Sequence, residues 1–238
     1  MVQPQLQPTI EPLSPPGVLV RLCEVAGEAE DEFNHWYQQQ HLAEQLAVDG
    51  FRTARRYQVA GGEPTYMTVY ECASIDVLAS PAYRAAVASP SAAAQRWMPH
   101  VRDTLQFACR QTWSVGEGIG GSAIVVQCKP MLGREESARA FIRDSFGPER
   151  MPALVRMSLW EADAALGAVF APSQGTQWML SMESYDVAKM ALAVHAQLLA
   201  CESATTGLLI GSWTRYHLLC ARSNAVAASG WAGATIAP

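Results

Sequence analysis

Charge is scarce in this chain, and no basic run occurs in it. Seventeen Lys plus Arg face twenty-two Asp plus Glu, and charged residues make up 16% of the sequence. Binding a phosphate backbone needs clustered positive charge, so nucleic acid is not an expected partner. Long apolar runs are missing too: nothing approaches the ~18 to 20 residues of a bilayer-spanning helix, and a soluble chain without a membrane partner is expected. The opening MVQPQLQPTIEPLSPP has neither a basic start nor an apolar centre, fails as a secretory signal, and reads as an extended arm. The six cysteines (Cys23, Cys72, Cys109, Cys128, Cys201, Cys220) form no CxxC pair. Buried free thiols in a reducing cytoplasm explain them better than disulfides or zinc. No GxGxxG stands between a strand and a helix, and P-loop, GxSxG and HExxH patterns are absent, which removes the common signatures of nucleotide cofactors, serine hydrolysis and metal; no cofactor and no metal are expected.

What is present is a core-forming composition, 50% hydrophobic over 238 residues. That length suffices for one large domain or two small ones. GVLVRLCEV (Gly17 to Val25) reads as a strand. EDEFNHWYQQQHLAEQL (Glu30 to Leu46) lacks Gly and Pro and places Phe33, Trp36, Tyr37 and Gln40 at i, i+3, i+4 and i+7, the spacing of one helical face. Asp49-Gly50 supplies a stop, and FRTARRYQV (51–59) and TYMTVYEC (65–72), separated by Gly61, Gly62 and Pro64, read as a hairpin. IDVLASPAYRAAVAS follows as a helix that Pro81 breaks or reseats, and TLQFACRQTWSV (104–115) closes the set as a strand. The order is β-α-β-β-α-β, the split βαβ of ferredoxin-like folds.

After GIGG (118–121) the same order returns: strand 121–130, helix 134–146, strands 153–163 and 176–184, helix 185–200 and strand 207–219. A repeat of about 100 residues means two sister folds rather than a solenoid. The expected division is an arm (1–16), a first domain (17–117), a second (121–222) and an Ala/Gly-rich tail (223–238). One face of each four-stranded sheet needs a cover, and the simplest is the sister copy. The expected fold class is α+β: two tandem ferredoxin-like repeats closing an eight-stranded α/β barrel, helices outside, around a partly apolar central cavity. Pairing into a homodimer through outer helices or edge strands is compatible with this.

The stretch FNHWYQQQHLAEQLAVDGFRTARRYQ (33–58) resembles the signature of EthD-like proteins of the dimeric α/β-barrel superfamily, roughly F-N-x-W-Y-x-x-x-H followed by P-G-F and a strand ending R-R-Y. The resemblance covers residues 17 to 113 best and identifies the chain as a tandem fusion of that type. Gln38, Gln39 and Gln40 stand where family members often carry acidic residues, and Ala43 replaces a Pro. The resemblance implies chemistry spread over cyclases, isomerases, dehydratases, monooxygenases and haem-binding members.

Tyr37 and His41 stand four apart, about 5 to 6 Å at Cβ on a helix, with Asn34 one turn before. Histidine moves protons near neutral pH and a tyrosine hydroxyl donates to a developing oxyanion, so the pair reads as catalytic: His41 as acid or base, Tyr37 as donor. The plain alternative is a helix-terminal histidine bonded to carbonyls or solvent. Asn34, Trp36, Arg55, Tyr57 and Tyr66 are the substrate-binding candidates, with Tyr70 sharing a strand face with Tyr66. Arg55 and Tyr57 share one side of their strand, Arg52 and Arg56 the other; Trp36 and Trp97 also suit simple packing. Aligning the second strands puts Asp144 opposite His41 and Ala140 opposite Tyr37, so any site is expected in the first half alone. His100, His195 and His217 read as core or surface residues. The resulting expectation is a cofactor-independent lyase, isomerase, cyclase or dehydratase acting on a small aromatic or enolisable carbonyl substrate in the barrel cavity. A haem- or small-molecule-binding protein and a non-catalytic accessory module are the alternatives.

Overall fold

The computed structural model describes residues 14–61, 65–166 and 177–224. The arm expected over 1–16 and the tail over 223–238 lie outside them except for 14–16, Ser223 and Asn224. Among the described residues there are eight strands: β1 (Gly17–Val25), β2 (Phe51–Val59), β3 (Thr65–Cys72), β4 (Val101–Val115), β5 (Ser122–Pro130), β6 (Leu154–Ala162), β7 (Trp178–Ser184) and β8 (Leu208–Ser223). They close into an antiparallel barrel in the order β1-β3-β2-β8-β5-β7-β6-β4. Each half contributes the order 4-1-3-2. Each half's last strand, β4 or β8, is long enough to pair with its own β1 or β5 and then with the other half's β6 or β2. Those two crossings replace the exposed edges of two separate sheets.

Helices cover the outside. In the first half α1 runs through Glu30–Trp36, a π-helical turn Tyr37–His41 and Leu42–Leu46. Pro81 does reseat the next helix: a 3-10 turn Ile75–Ala79 gives way to α2 (Pro81–Ala88), capped by the Ser80 hydroxyl, which accepts from Tyr83 N–H. α3 (Ala92–Trp97), not anticipated from sequence, follows with Ser91 as its cap. The second half carries α4 (Glu135–Ser145), α5 (Val187–Leu199) and the short α6 (Ser203–Thr206). The linker approaches β7 so closely that a Cβ on Gly120 would lie 2.4 Å from Ser184 N, leaving room for no other residue.

Strand alternation sorts the core into three clusters. Leu19, Ala54, Tyr66, Tyr70 and Ala108 face the first half's helices, and Ile124, Met157, Leu159 and Leu180 those of the second. The third cluster draws on all eight strands, with Val18, Tyr57, Val69, Phe107, Val125, Trp160, Met179 and Tyr216 among its members. It is the barrel interior, and it is packed. The central ligand cavity expected from sequence is therefore corrected: large inward side chains from both halves fill an eight-stranded barrel.

Charges are buried in that interior as well. Arg55 Nη2 donates to Glu71 Oε1 at 2.7 Å, Arg156 Nη2 reaches the same oxygen at 2.5 Å, and Arg55 Nε lies 3.5 Å from Glu183 Oε1. Two positive and two negative groups thus cross between the halves.

Candidate functional site

Beneath α1 the outer face of the first sheet is unusually polar. Arg21 of β1 and Arg56 of β2 both register opposite Thr68 of β3, so the two arginines flank one row of the sheet. Arg56 is fully buried, and its guanidinium carbon lies 4.1 Å from the Tyr37 ring centroid, 4.4 Å from Tyr66 and 5.2 Å from Phe33. Its Nη2 donates to Asn34 Oδ1 at 2.7 Å, while Nε and Nη1 have no hydrogen-bond partner. Burial holds this guanidinium below the ordinary arginine pKa, with the Tyr37 oxygen opposing. Cation–π contact stabilises such a charge in part, but an arginine is normally buried against a carboxylate.

The surrounding groups fix it in place. Asn34 Nδ2 donates to Tyr66 Oη at 2.8 Å, and Tyr66 Oη donates to Glu30 at the start of α1. Those two bonds set the Asn34 amide so that its oxygen faces Arg56. The hydroxyls of Tyr37 and Tyr70 are hydrogen-bonded to each other at 3.2 Å. Arg21 Nη2 donates to Tyr83 Oη at 3.3 Å, and its Nε is unpaired. Burial pushes the Tyr66 hydroxyl up to about 12 and lifts Tyr70 well above the phenol range, so both hydroxyls stay protonated.

His41 closes the cluster. Its ring lies 4.6 Å from Tyr37 and 5.0 Å from Trp36, its side chain is 17% exposed, and Nδ1 has no hydrogen-bond partner. Burial first, then the charges of Arg21 and Arg56, lower its pKa to about 3. Glu44 Oε2, 3.9 Å away, therefore faces a neutral imidazole. At neutral pH His41 is an acceptor or ligand rather than a cationic acid.

On the other side of Trp36 an open groove of about 730 Å³ runs between α1 and α3, lined among others by Asp31, His35, Gln40, Arg96 and Trp97. Trp36 stacks on Trp97 at 6.2 Å and so forms a wall common to groove and cluster.

Of the residues singled out in the sequence, the structure brings together Asn34, Trp36, Tyr37, His41 and Tyr66. Arg55 and Tyr57 lie on the opposite face of β2, inside the barrel, where Arg55 is tied to Glu71 and Glu183. Arg56 stands in the place assigned to them. Tyr70 was foreseen only as the residue that shares a strand face with Tyr66, and Arg21 and Glu30 were not foreseen as site groups. Among the described residues the second half has no equivalent: Arg139 of α4 is there bonded to Glu161 on β6 at 2.6 and 2.7 Å, a paired charge. His100 is half-buried, and His195 and His217 are exposed.

No protein-family model and no curated protein matches the sequence. Solved structures do match the fold. A candidate monooxygenase of Fusobacterium nucleatum superposes with a TM-score of 0.59 at 10% identity, covering 88% of this chain and 95% of its own. A haem-binding protein of Thermus thermophilus gives 0.53 at 11%, covering 87% and 92%. A chlorite dismutase of Candidatus Nitrospira defluvii gives 0.55 at 12%, again covering 87% and 92%. The chain has the dimeric α/β-barrel fold these proteins share. These neighbours are oxidative or haem-binding proteins, and none of the three is a lyase or isomerase. The expected cofactor-independent lyase, isomerase, cyclase or dehydratase is overturned on that ground, and the ligand-binding alternative accords better with them.

Proposed function

We propose that the first half binds a small organic anion between α1 and its sheet and serves an oxidative, monooxygenase-type role. The observation that carries this reading is Arg56, a buried guanidinium with two unpaired nitrogens and no carboxylate bonded to it. An anionic oxygen supplies the missing partner, and charge-assisted bonds to a desolvated guanidinium are among the strongest available. Arg21 adds a second positive charge, Asn34 and Tyr66 hold Arg56 in register, and neutral His41 accepts a hydrogen bond from the ligand. The groove beside Trp36 and Trp97 supplies the approach and an aromatic wall for a flat ring. The N-x-W-Y-x-x-x-H run and the division into 17–117 and 121–222 support EthD-like kinship and a tandem fusion.

Calorimetric titration with 2-naphthoate tests the binding. Arg56→Gln, which stays neutral when unpaired, weakens it tenfold or more while the circular dichroism spectrum is retained; equal affinity in the two proteins sinks the assignment. Oxygen uptake with a panel of phenols and hydroquinones then tests the oxidative role.

Haem is a second reading, favoured by one observation: a neutral imidazole with an unpartnered nitrogen is the donor an axial position takes. Room for it is lacking. Tyr37, Tyr66 and Phe33 close on Arg56 at 4.1 to 5.2 Å, and Trp36 lies against His41, so these residues leave no slot for a macrocycle. The group does not fit the site as folded. A haemin titration decides: a Soret shift lost in His41→Ala would reinstate haem.

A further inference from the structure

Seven buried side-chain nitrogens lack a hydrogen-bond partner among the described residues, and five of them belong to the cluster between α1 and the first sheet: Arg21 Nε, Trp36 Nε1, His41 Nδ1, Arg56 Nε and Arg56 Nη1. Polar groups shut off from water are nearly always paired, so this concentration marks a place that an absent partner completes. Four of the five are permanent N–H donors, and the deficit is therefore one of acceptors.

It is a deficit of negative charge as well. The hydrogen bonds of Arg21 and Arg56 run to Tyr83 and Asn34, both neutral. The carboxylates of α1 are engaged elsewhere: Glu30 accepts from Tyr66 and Gln58, Glu44 accepts from Gln40 and Ser91, Glu32 faces Arg96, and Asp31 is exposed. A single negative charge would leave one of the two guanidiniums uncompensated, which is costly away from water. The two charges are also held apart. Arg21 and Arg56 rise from the strands on either side of β3, which sets their backbones about 10 Å apart. Arg56 lies over the Tyr37 ring at 4.1 Å and Arg21 over the Tyr70 ring at 5.8 Å, and the hydroxyls of those two tyrosines are bonded to each other.

We propose that the ligand of this site is a dicarboxylate, one end held by Arg56 and the other by Arg21. The inference rests on the anion-binding reading above and adds to it that Arg21 selects for a second, separated charge.

Calorimetric titration with pairs of acids that differ by one carboxylate tests it: 2-naphthoate against naphthalene-2,6-dicarboxylate, and the shorter benzoate against terephthalate. At least one dicarboxylate should bind tenfold or more tighter than its monoacid. Arg21→Gln, with its circular dichroism spectrum retained, should bring that ratio within twofold of one, whereas Arg21→Lys, which keeps the charge, should preserve the preference. Inorganic phosphate, a compact dianion, should bind more weakly than the preferred dicarboxylate. Binding of 2-naphthoate through Arg56 with no preference for either dicarboxylate would overturn the inference and leave the anion site standing. So would a preference that survives Arg21→Gln or is lost equally in Arg21→Lys, and so would tighter binding of phosphate. If none of the four acids binds, the anion site itself falls, and this inference with it.

Discussion

His41 shows how a buried site changes what a residue type means. From sequence a histidine is a proton carrier near pH 6.5; enclosed by Trp36 and Tyr37 and facing Arg21 and Arg56, it stays neutral above about pH 3. The sign for stability follows. The unfolded chain takes up a proton near 6.5 that the folded chain refuses, so the contribution of neutral His41 is complete above 6.5 and drains away as pH falls toward 3. Between pH 7 and 5, before most carboxylates titrate, the loss is about 2 kcal/mol. Urea denaturation at several pH values should show wild type losing that much more than His41→Gln. Parallel curves for the two proteins would mean that the imidazole is solvated and the cluster open.

At the scale of the element, His41 ends the π turn of α1. Phe33 and Tyr37 are buried on one phase of the helix; a regular helix would next bury residue 41, but the buried residues are Leu42, Gln45 and Leu46. The apolar pattern slips by one residue, and a π turn is the conformation that absorbs one extra residue. Deleting the exposed Gln39 should therefore restore a continuous α-helix with Leu42 and Leu46 still inward. The variant should fold with a melting temperature within a few degrees of wild type or above it. A fall of more than about 10 °C would refute this account. The same slip explains what was legible beforehand. Strand ranges came through almost residue for residue in β2 and β3, because alternation survives any environment. The helix was visible but its phase was not: counting i, i+3, i+4, i+7 puts Gln40 beside Phe33, whereas the structure exposes it. On β2 the alternation separated Arg55 from Arg56 without saying which side is the barrel interior, since only closure of the barrel decides that. Arg21 was missed because a lone arginine in an apolar strand carries no signal until Thr68 and Arg56 stand beside it.

The whole molecule is held as one by its interior, and the two carboxylates there divide the work unequally. Glu71 and Glu183 occupy matching registers, opposite Thr53 on β2 and Arg156 on β6 respectively. Burial pushes both up. At Glu71 the charges of Arg55 and Arg156 outweigh it and bring the carboxyl to about 2, whereas at Glu183 burial prevails over Arg55 and the Gly120 N–H and the value stays raised. Glu71 as a carboxylate therefore stabilises the fold above its ordinary range and loses that contribution as pH falls toward 2. Glu183 as a carboxylate is a net cost that deepens as pH rises through its titration. Glu71→Gln should cost about 3 kcal/mol at pH 7, since it takes the carboxylate from buried Arg55 and half-buried Arg156, and Glu183→Gln less than about 1 kcal/mol. Because the third core cluster draws on all eight strands, both variants should still unfold in one transition by calorimetry, with Glu71→Gln simply at lower temperature. Two separated transitions in Glu71→Gln would show that the halves stand alone and that these charges only decorate a barrel held by its edges. Equal losses in the two variants would show that the matching registers are matched in energy as well, against the asymmetry set by where the two arginines reach.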